Sequence, residues 1–412
     1  MNKHRCLFIV VFFLLTVMLV TAQPALAAGE TVLPKVSLGI DNINEHLPVF
    51  AGKRVGLITN ATGVNSHLQS SVVILKEATN LVALFSPEHG IRGNAVAGAV
   101  VDTQIDSQTG LPVYSLYGAT KKPSPEMLKD IDVLVFDIQD VGARFYTYIY
   151  TMAYAMQSCS EQGKTFVVLD RPNPVGGDIV EGGILKPGYE SFIGMYPIPI
   201  RHGMTVGELA RFFNKEYGIG CDLTVIPMHG WKRSMFFEQT GQPWVLTSPN
   251  IPTVDTAVVY SGIGIFGGTN LSEGVGTTKP FELVGAPWLD PLLLAKQMNE
   301  MALPGVFFRP VYFTPMHSKQ QGQLCGGVQL HVTDRKVFLA VKTGVYLLQV
   351  IRNMSGEQFA FKITGNGTET IDLATGDDTL RKGSLSPVEL MRRWDQEAAE
   401  FKQISRKYYL YN

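Results

Sequence analysis

The chain has 412 residues, 45% of them hydrophobic and 17% charged, with a formal net charge of −1 at pH 7. So even a balance excludes a nucleic-acid or anionic-lipid partner held by bulk electrostatics and leaves a small or local ligand as the expected partner. Its 4 cysteines include no Cys-x-x-Cys pair, and Cys6 lies in a leader, which argues against a disulfide scaffold and against a zinc site.

At the N-terminus, Lys3, His4 and Arg5 precede an apolar run from Leu7 to Val20, and Ala25-Leu26-Ala27 supplies a cleavage site. This predicts a signal peptide over residues 1–27 and a secreted product. The run is shorter than the ~20 residues that a membrane-spanning helix needs, so an uncleaved anchor is the lesser alternative. What remains is long enough for a large and a smaller domain.

Lys53 to Thr59 reads as a strand that stops at Asn60-Ala61-Thr62-Gly63, and Leu68, Val72 and Leu75 follow at helical spacing. Leu81 to Phe85 is the next strand and runs into Ser86-Pro87-Glu88-His89-Gly90-Ile91-Arg92-Gly93. Ile131 to Ile138 is apolar on both alternating faces, as in a strand buried between helix layers. Phe145, Ile149, Met152 and Met156 then mark a helix, and Thr165 to Leu169 ends in Asp170-Arg171-Pro172-Asn173-Pro174. Strands separated by such crossovers predict an α/β fold with a Rossmann-like, doubly wound, mostly parallel sheet.

Further on, Thr205 and Glu208 form a capping box that starts a helix, and Asp222 to Pro227 reads as a strand. From Trp244 to Trp288 the chain is rich in Gly, Pro, Thr and Ser, and a strand is expected at Thr256 to Tyr260. A composition shift at Pro287-Trp288 divides a catalytic domain over 28–286 from a smaller α+β domain over 287–412, with strands at Val306 to Phe313 and Gly327 to Val332 and a final helix opening at Ser386-Pro387.

In open α/β sheets ligands sit outside the carboxyl ends of the strands, where the strand order reverses. The polar clusters fall at those ends: Glu88, His89, Arg92, Gln139, Asp140, Arg144, Tyr146, Tyr148, Asp170, Arg171, Asn173 and Glu181. Carboxylates and amides suit hydroxyls and Arg suits a carboxylate, so this inventory fits a polyhydroxylated, anionic ligand. It also contains the carboxylates of a glycosidase, one to protonate the leaving oxygen and another to act opposite it. Glu88 is the first candidate for the acid, Glu181 and Glu273 for the partner; each alternatively serves as a turn or capping residue. His89 is read as orienting Glu88 or the ligand. Arg144, placed in the first turn of a helix where a cation is disfavoured, hints at an anionic contact, with a salt bridge to Asp140 as the competing account. Arg201-His202-Gly203 offers a second cationic edge. Gly262-Ile263-Gly264-Ile265-Phe266-Gly267 matches a dinucleotide fingerprint but lacks the amphipathic helix that should follow it. No Walker A motif, Gly-x-Ser-x-Gly elbow or His-Glu-x-x-His is present.

These stretches resemble the exo-β-N-acetylmuramidase family of NamZ type, long catalogued as a domain of unknown function. The matching segments are GLITNATGVN (56–65), LFSPEHGIRG (84–93), VFDIQDVGARFYTYIYTM (135–152), LDRPNPVGG (169–177), EGG (181–183), RHGMTVGELA (201–210), SPNIPT (248–253) and LSEGVGTTKPFELVGAPW (271–288). The resemblance implies a secreted, cell-wall-associated glycoside hydrolase that removes β-1,4-linked N-acetylmuramic acid from non-reducing ends of peptidoglycan fragments, with no metal and no cofactor. It maps the catalytic acid onto Glu88, with Glu181 as its partner. It leaves His89, Arg92, Gln139, Asp140, Arg144, Tyr148, Arg171, Asn173, His202 and Glu273 as substrate-binding, Arg92 for the sugar's carboxylate. The competing expectation is a non-catalytic muropeptide-binding protein. A retaining, an inverting and a substrate-assisted mechanism all remain open at this level.

Overall fold

The computed structural model describes residues 36–92, 104–365 and 367–412; the expected leader lies outside them. The first strands are β1 (Arg54–Thr59), β2 (Asn80–Ser86), β3 (Gln104–Ile105) and β4 (Pro112–Ser115). With β5 (Val133–Asp137), β6 (Thr165–Leu169) and β7 (Asp222–Ile226) they form a 7-stranded sheet in the order β3-β4-β2-β1-β5-β6-β7. Every pairing is parallel except that of β3 with β4. The chain winds outward from β1 through β2 and β4, then returns to β1's other side and winds outward again through β5, β6 and β7. The order therefore reverses between β1 and β5, as the α/β reading requires.

The crossovers are α1 (Ser71–Ala78), the short α2 (Pro125–Leu128), α3 (Tyr148–Glu161) and α4 (Val206–Glu216). Alternation along each buried strand decides which face each side chain serves. Val55, Leu57, Val133, Val135, Val167 and Leu169 pack with Leu75 of α1 and with Ile40 and Ile43 of a 3₁₀ segment, Gly39–Val49. Ile58, Leu134, Phe136, Phe166 and Val168 pack on the opposite face with Ile149, Met152 and Met156 of α3 and Leu209 and Phe213 of α4. The capping box of α4 forms as expected: Glu208 N–H donates to the Thr205 hydroxyl at 3.2 Å and Thr205 N–H to Glu208 Oε2 at 3.1 Å.

The second sheet is antiparallel and 3-stranded, in the order β8-β10-β9, with β8 (Leu283–Ala286), β9 (Val306–Phe313) and β10 (Cys325–Val332). Around it lie α5 (Val254–Ile263), α6 (Pro291–Glu300), α7 (Ala340–Ser355), the short α8 (Thr370–Thr375) and α9 (Thr379–Lys382), and α10 (Pro387–Ser405). The α3/α4 face of the large sheet and this region share one continuous core, in which Trp394 of α10 is among the largest fully buried side chains.

Thr256 to Tyr260, expected as a strand, is the middle of α5. Thr253 caps it by accepting from Thr256 N–H at 3.3 Å, and the helix is buried on nearly every side. A helix without a polar face shows no 3.6-residue period, so a short β-branched run misreports it. The glycine pattern at 262–267 has a packing cause: a Cβ on Gly262 would collide with Ala340 O, and one on Gly344 with Gly262 O, so α5 and α7 approach backbone to backbone.

The C-terminal residues return to the large sheet. Tyr411 hydroxyl donates to Asp170 Oδ2 at 2.6 Å, Leu410 N–H to Glu208 Oε1 at 2.9 Å, and Arg233 N–H to Asn412 O at 3.0 Å. The Arg233 guanidinium lies 3.4 Å from the Tyr409 ring centre. Cys159, Cys221 and Cys325 are buried free thiols.

Candidate active site

β2 ends at Ser86, and Pro87 to Gly90 form a tight turn in which Gly90 N–H donates to Pro87 O at 3.0 Å. His89 in that turn has φ of 70°, a left-handed conformation that costs a side-chain-bearing residue about 1–2 kcal/mol. Strain of this kind persists where surrounding structure holds it, and functional loops are where it gathers. The turn sets Glu88 at a cavity of about 270 Å³ whose walls are mostly aromatic. Phe281, on the far wall, also has a left-handed φ, 61°, held by its N–H donating to Glu273 O at 2.6 Å.

Among the described residues lining this cavity, Glu88 is the one carboxylate, and no lysine or arginine lines it. The Thr147 hydroxyl donates to Glu88 Oε2 at 2.9 Å, and the Tyr117 hydroxyl is bonded to the same carboxylate. Burial, reinforced by the negative charge of Glu88, pushes the Tyr117 phenol up to about 12, so it remains a proton-bearing donor at neutral pH. Tyr146 stands edge-on to Tyr148 at 4.9 Å and to Tyr260 at 5.7 Å between ring centres, and Tyr260 is edge-on to Phe281 at 4.8 Å. The Tyr148 hydroxyl donates to Thr247 O at 2.6 Å. Asn250 lines the cavity, and its side-chain amide is bonded to no described residue.

Glu88, His89, Tyr146 and Tyr148 thus come together around this cavity; the other residues read from the sequence do not line it. Arg92 pairs with Asp106 at 2.5 Å and lines a separate cavity of about 580 Å³ against α1. Gln139 donates through Nε2 to Asp140 O at 2.9 Å and Pro172 O at 2.7 Å. Asp140 accepts from Gly142 N–H at 2.7 Å and stands 3.6 Å from Nε2 of His202, whose Nδ1 accepts from Met204 N–H. Arg171 forks onto Asp137 at 2.6 and 2.9 Å, and Asn173 donates to Met204 O at 3.0 Å.

Arg144 precedes α3, which begins only at Tyr148, so it does not lie in that helix's first turn. It is fully buried and donates to three carbonyls, Gly183 O at 2.6 Å, Ile198 O at 2.7 Å and Ala374 O at 2.8 Å, and burial pulls its guanidinium down to about 10. Glu181 is also buried. It pairs with Arg201 at 3.2 Å and accepts from Ala340 N–H at 3.1 Å and Lys342 N–H at 3.4 Å at the start of α7. Burial raises its pKa and Arg201 opposes the rise. Glu273 pairs with Lys319 at 2.5 Å. Neither glutamate lines the Glu88 cavity.

Sequence reasoning passed over Tyr117, Thr147 and Phe192. Thr147 lay within a quoted motif, next to the aromatic residues that drew attention. Tyr117 follows β4, four residues long and too brief to announce itself.

Sequence profiles of the exo-β-N-acetylmuramidase NamZ family match this chain, the N-terminal profile over residues 55–255 and the C-terminal one over 258–411. The chain is 51% identical over 402 residues to the peptidoglycan β-N-acetylmuramidase NamZ of Bacillus subtilis (strain 168), covering 96% of each. It superposes on the crystal structure of a DUF1343 family protein of Bacteroides fragilis with TM-score 0.85 at 42% identity, covering 92% of this chain and 99% of that one. For a second DUF1343 protein of that organism the TM-score is 0.74 at 33% identity, with the same coverage. Two profiles that together span nearly all described residues, with a relative identical at half its positions, establish that this chain belongs to the exo-β-N-acetylmuramidase NamZ family.

Proposed function

We propose that this chain is a secreted, exo-acting glycoside hydrolase that removes β-1,4-linked N-acetylmuramic acid from the non-reducing ends of peptidoglycan fragments during cell-wall turnover. The carrying observation is Glu88, the carboxylate of an aromatic-walled cavity, in a chain whose Bacillus subtilis relative bears the name of that activity. At about 270 Å³ the cavity sits just below the usual ~300–1,000 Å³ of small-molecule sites, a size that suits one terminal sugar ring better than a through-running glycan.

In this reading the C–H faces of the ring rest on Tyr146, Tyr148 and Tyr260. Glu88 delivers a proton to the glycosidic oxygen as the bond to the anomeric carbon breaks, and then takes one from the incoming water. Thr147 and Tyr117 fix the carboxyl group's orientation, which keeps the transfer short. Among the described residues Glu88 is the one carboxylate lining the cavity, so in this reading the group that attacks or shields the anomeric carbon is the sugar's own 2-acetamido oxygen, a substrate-assisted course in which one protein acid is enough. Asn250, whose amide is bonded to no described residue, is the group this reading assigns to orient that acetamido group. Glu181, its oxygens held by Arg201 and by α7 amides, supports the fold in this scheme.

The test is a pair of chromogenic substrates and a product analysis. A β-N-acetylmuraminide should be cleaved and the matching N-acetylglucosaminide should not, with free N-acetylmuramic acid released from a muramic-acid-terminated disaccharide. No release from either muramic substrate sinks the proposal. Secretion is tested separately, by locating the protein and sequencing its mature N-terminus, which should begin at Ala28.

A further inference from the structure

Among the described residues no lysine or arginine lines the cavity that holds Glu88, yet the sugar proposed for it carries a carboxylate on its 3-O-lactyl ether. Arg92 is committed to Asp106, Arg171 to Asp137, Lys319 to Glu273, and Arg144 to three backbone carbonyls. Lys121 differs from all of these. Its ammonium lies 4.5 Å from the ring centre of Phe192, which lines the cavity, and no described carboxylate lies within ion-pair distance.

The position of Lys121 is built. Tyr117, four residues before it in the same loop, reaches the cavity and bonds Glu88. Immediately after it, Lys122 pairs with Glu161 at 2.6 Å and Pro123 O accepts from the Ser158 hydroxyl at 2.8 Å, which pins the loop to α3. Phe192 in turn is stacked on Tyr154 of α3 at 6.3 Å and tilted against Tyr117 at 6.1 Å. An ammonium resting on an aromatic face is attracted to it without being neutralised, so it stays available to an anion.

We propose that Lys121 is the specificity-determining cation of this site, which receives the lactyl carboxylate and thereby distinguishes N-acetylmuramic acid from N-acetylglucosamine. The inference rests on the hydrolase reading for its ligand, and it separates from that reading in the test. The lactyl arm leaves O3 of the ring, so a sugar seated on the tyrosines with its glycosidic oxygen at Glu88 can extend that arm toward the Phe192 wall.

The experiment is calorimetry with N-acetylmuramic acid and with the methyl ester of its lactyl carboxyl, on the wild-type protein and on Lys121→Met and Lys121→Arg. Wild type should bind the acid about 10–100-fold more tightly than the ester, the range for a hydrogen bond to a charged group. Lys121→Met should bind both alike, and Lys121→Arg should keep most of the preference. On the chromogenic muraminide, Lys121→Met should raise KM by a similar factor with kcat nearly unchanged, and added salt should raise the wild-type KM but not that of the variant. A Lys121→Met protein that still prefers the acid, or a wild type that does not, overturns the proposal whether or not hydrolysis is seen. If wild type hydrolyses nothing while Lys121→Met loses the preference, the hydrolase reading falls and the carboxylate subsite stands.

Discussion

Two clusters of polar side chains stand at the carboxyl ends of the large sheet, and they are built on opposite rules. At the reversal between β1 and β5, Asp137 is locked to Arg171 and Gln139 to the carbonyls of Asp140 and Pro172; nearby, Arg144 is locked to three carbonyls. Around Glu88, beyond β2 and β4, the described residues provide one carboxylate, an amide bonded to none of them and a ring of aromatic side chains. The first cluster joins loops that would otherwise carry unsatisfied buried groups. The second leaves its acid facing a space with room for a ligand. Charge density at strand ends therefore marks where the chain is tied together, and the sparser cluster is the one left open to a ligand.

Substitutions that exchange a locked group for an unlocked one sharpen this contrast. Glu88→Gln keeps Thr147 and Tyr117 as neighbours and should lower kcat about 10³-fold, ~4 kcal/mol on the barrier, while the unfolding midpoint stays put. A variant retaining a tenth of wild-type turnover would break the assignment. Arg144→Met should do the reverse, costing about 3–5 kcal/mol in denaturant unfolding because three buried carbonyls lose their donor. Glu181→Gln should cost about 1–3 kcal/mol by weakening the Arg201 pair and the α7 amide contacts, with turnover per folded molecule preserved. Loss of turnover without loss of stability would return Glu181 to the chemistry.

The smallest expected effect lies at the opposite end of the sheet. Asp132 accepts from Arg54 N–H at 2.9 Å and from its guanidinium at 3.1 Å, which holds the carboxyl down at about 2 against an ordinary 3.8. A carboxyl depressed in the folded state contributes stability above its unfolded pKa and loses it as the pH falls through the folded value. Wild type and Asp132→Asn should thus differ at pH 6 and converge between pH 4 and pH 2, by a modest amount because the pair is partly exposed. Equilibrium unfolding across that range checks it.

Much of this architecture was legible in the sequence, because β1, β2, β5 and β6 are buried on both faces and read as apolar runs between turn signals. The capping residues Thr205 and Ser386 announced α4 and α10 for the same local reason. Burial defeated the reading of α5, where no polar face was left to give a period. Glu88 was legible from its place on a turn after a buried strand. Its companions were not: Tyr117, Phe192 and Phe281 converge from a loop after β4, a segment before α4 and the stretch leading into β8. Conversely, Arg144, Arg171 and Asp140 looked like ligand-binding groups because their protein partners are dozens of residues away or are backbone atoms, which carry no sequence signature.

The bond from Tyr411 to Asp170 joins residues 241 positions apart, and that from Leu410 to Glu208 spans 202. Loop closure over such distances costs more conformational entropy than the short crossovers between β1 and β5, and contacts this remote in sequence set late in folding. The turn bearing Glu88 needs only its neighbouring strands. The outer end of β6, with the Asp170 and Glu208 carboxylates, waits for the far end of the chain. The sheet's end at Asp170 is thus sealed by the last residues of the chain, and the Glu88 cavity, whose walls reach Tyr260 and Phe281, likewise closes only when segments far along the chain have packed.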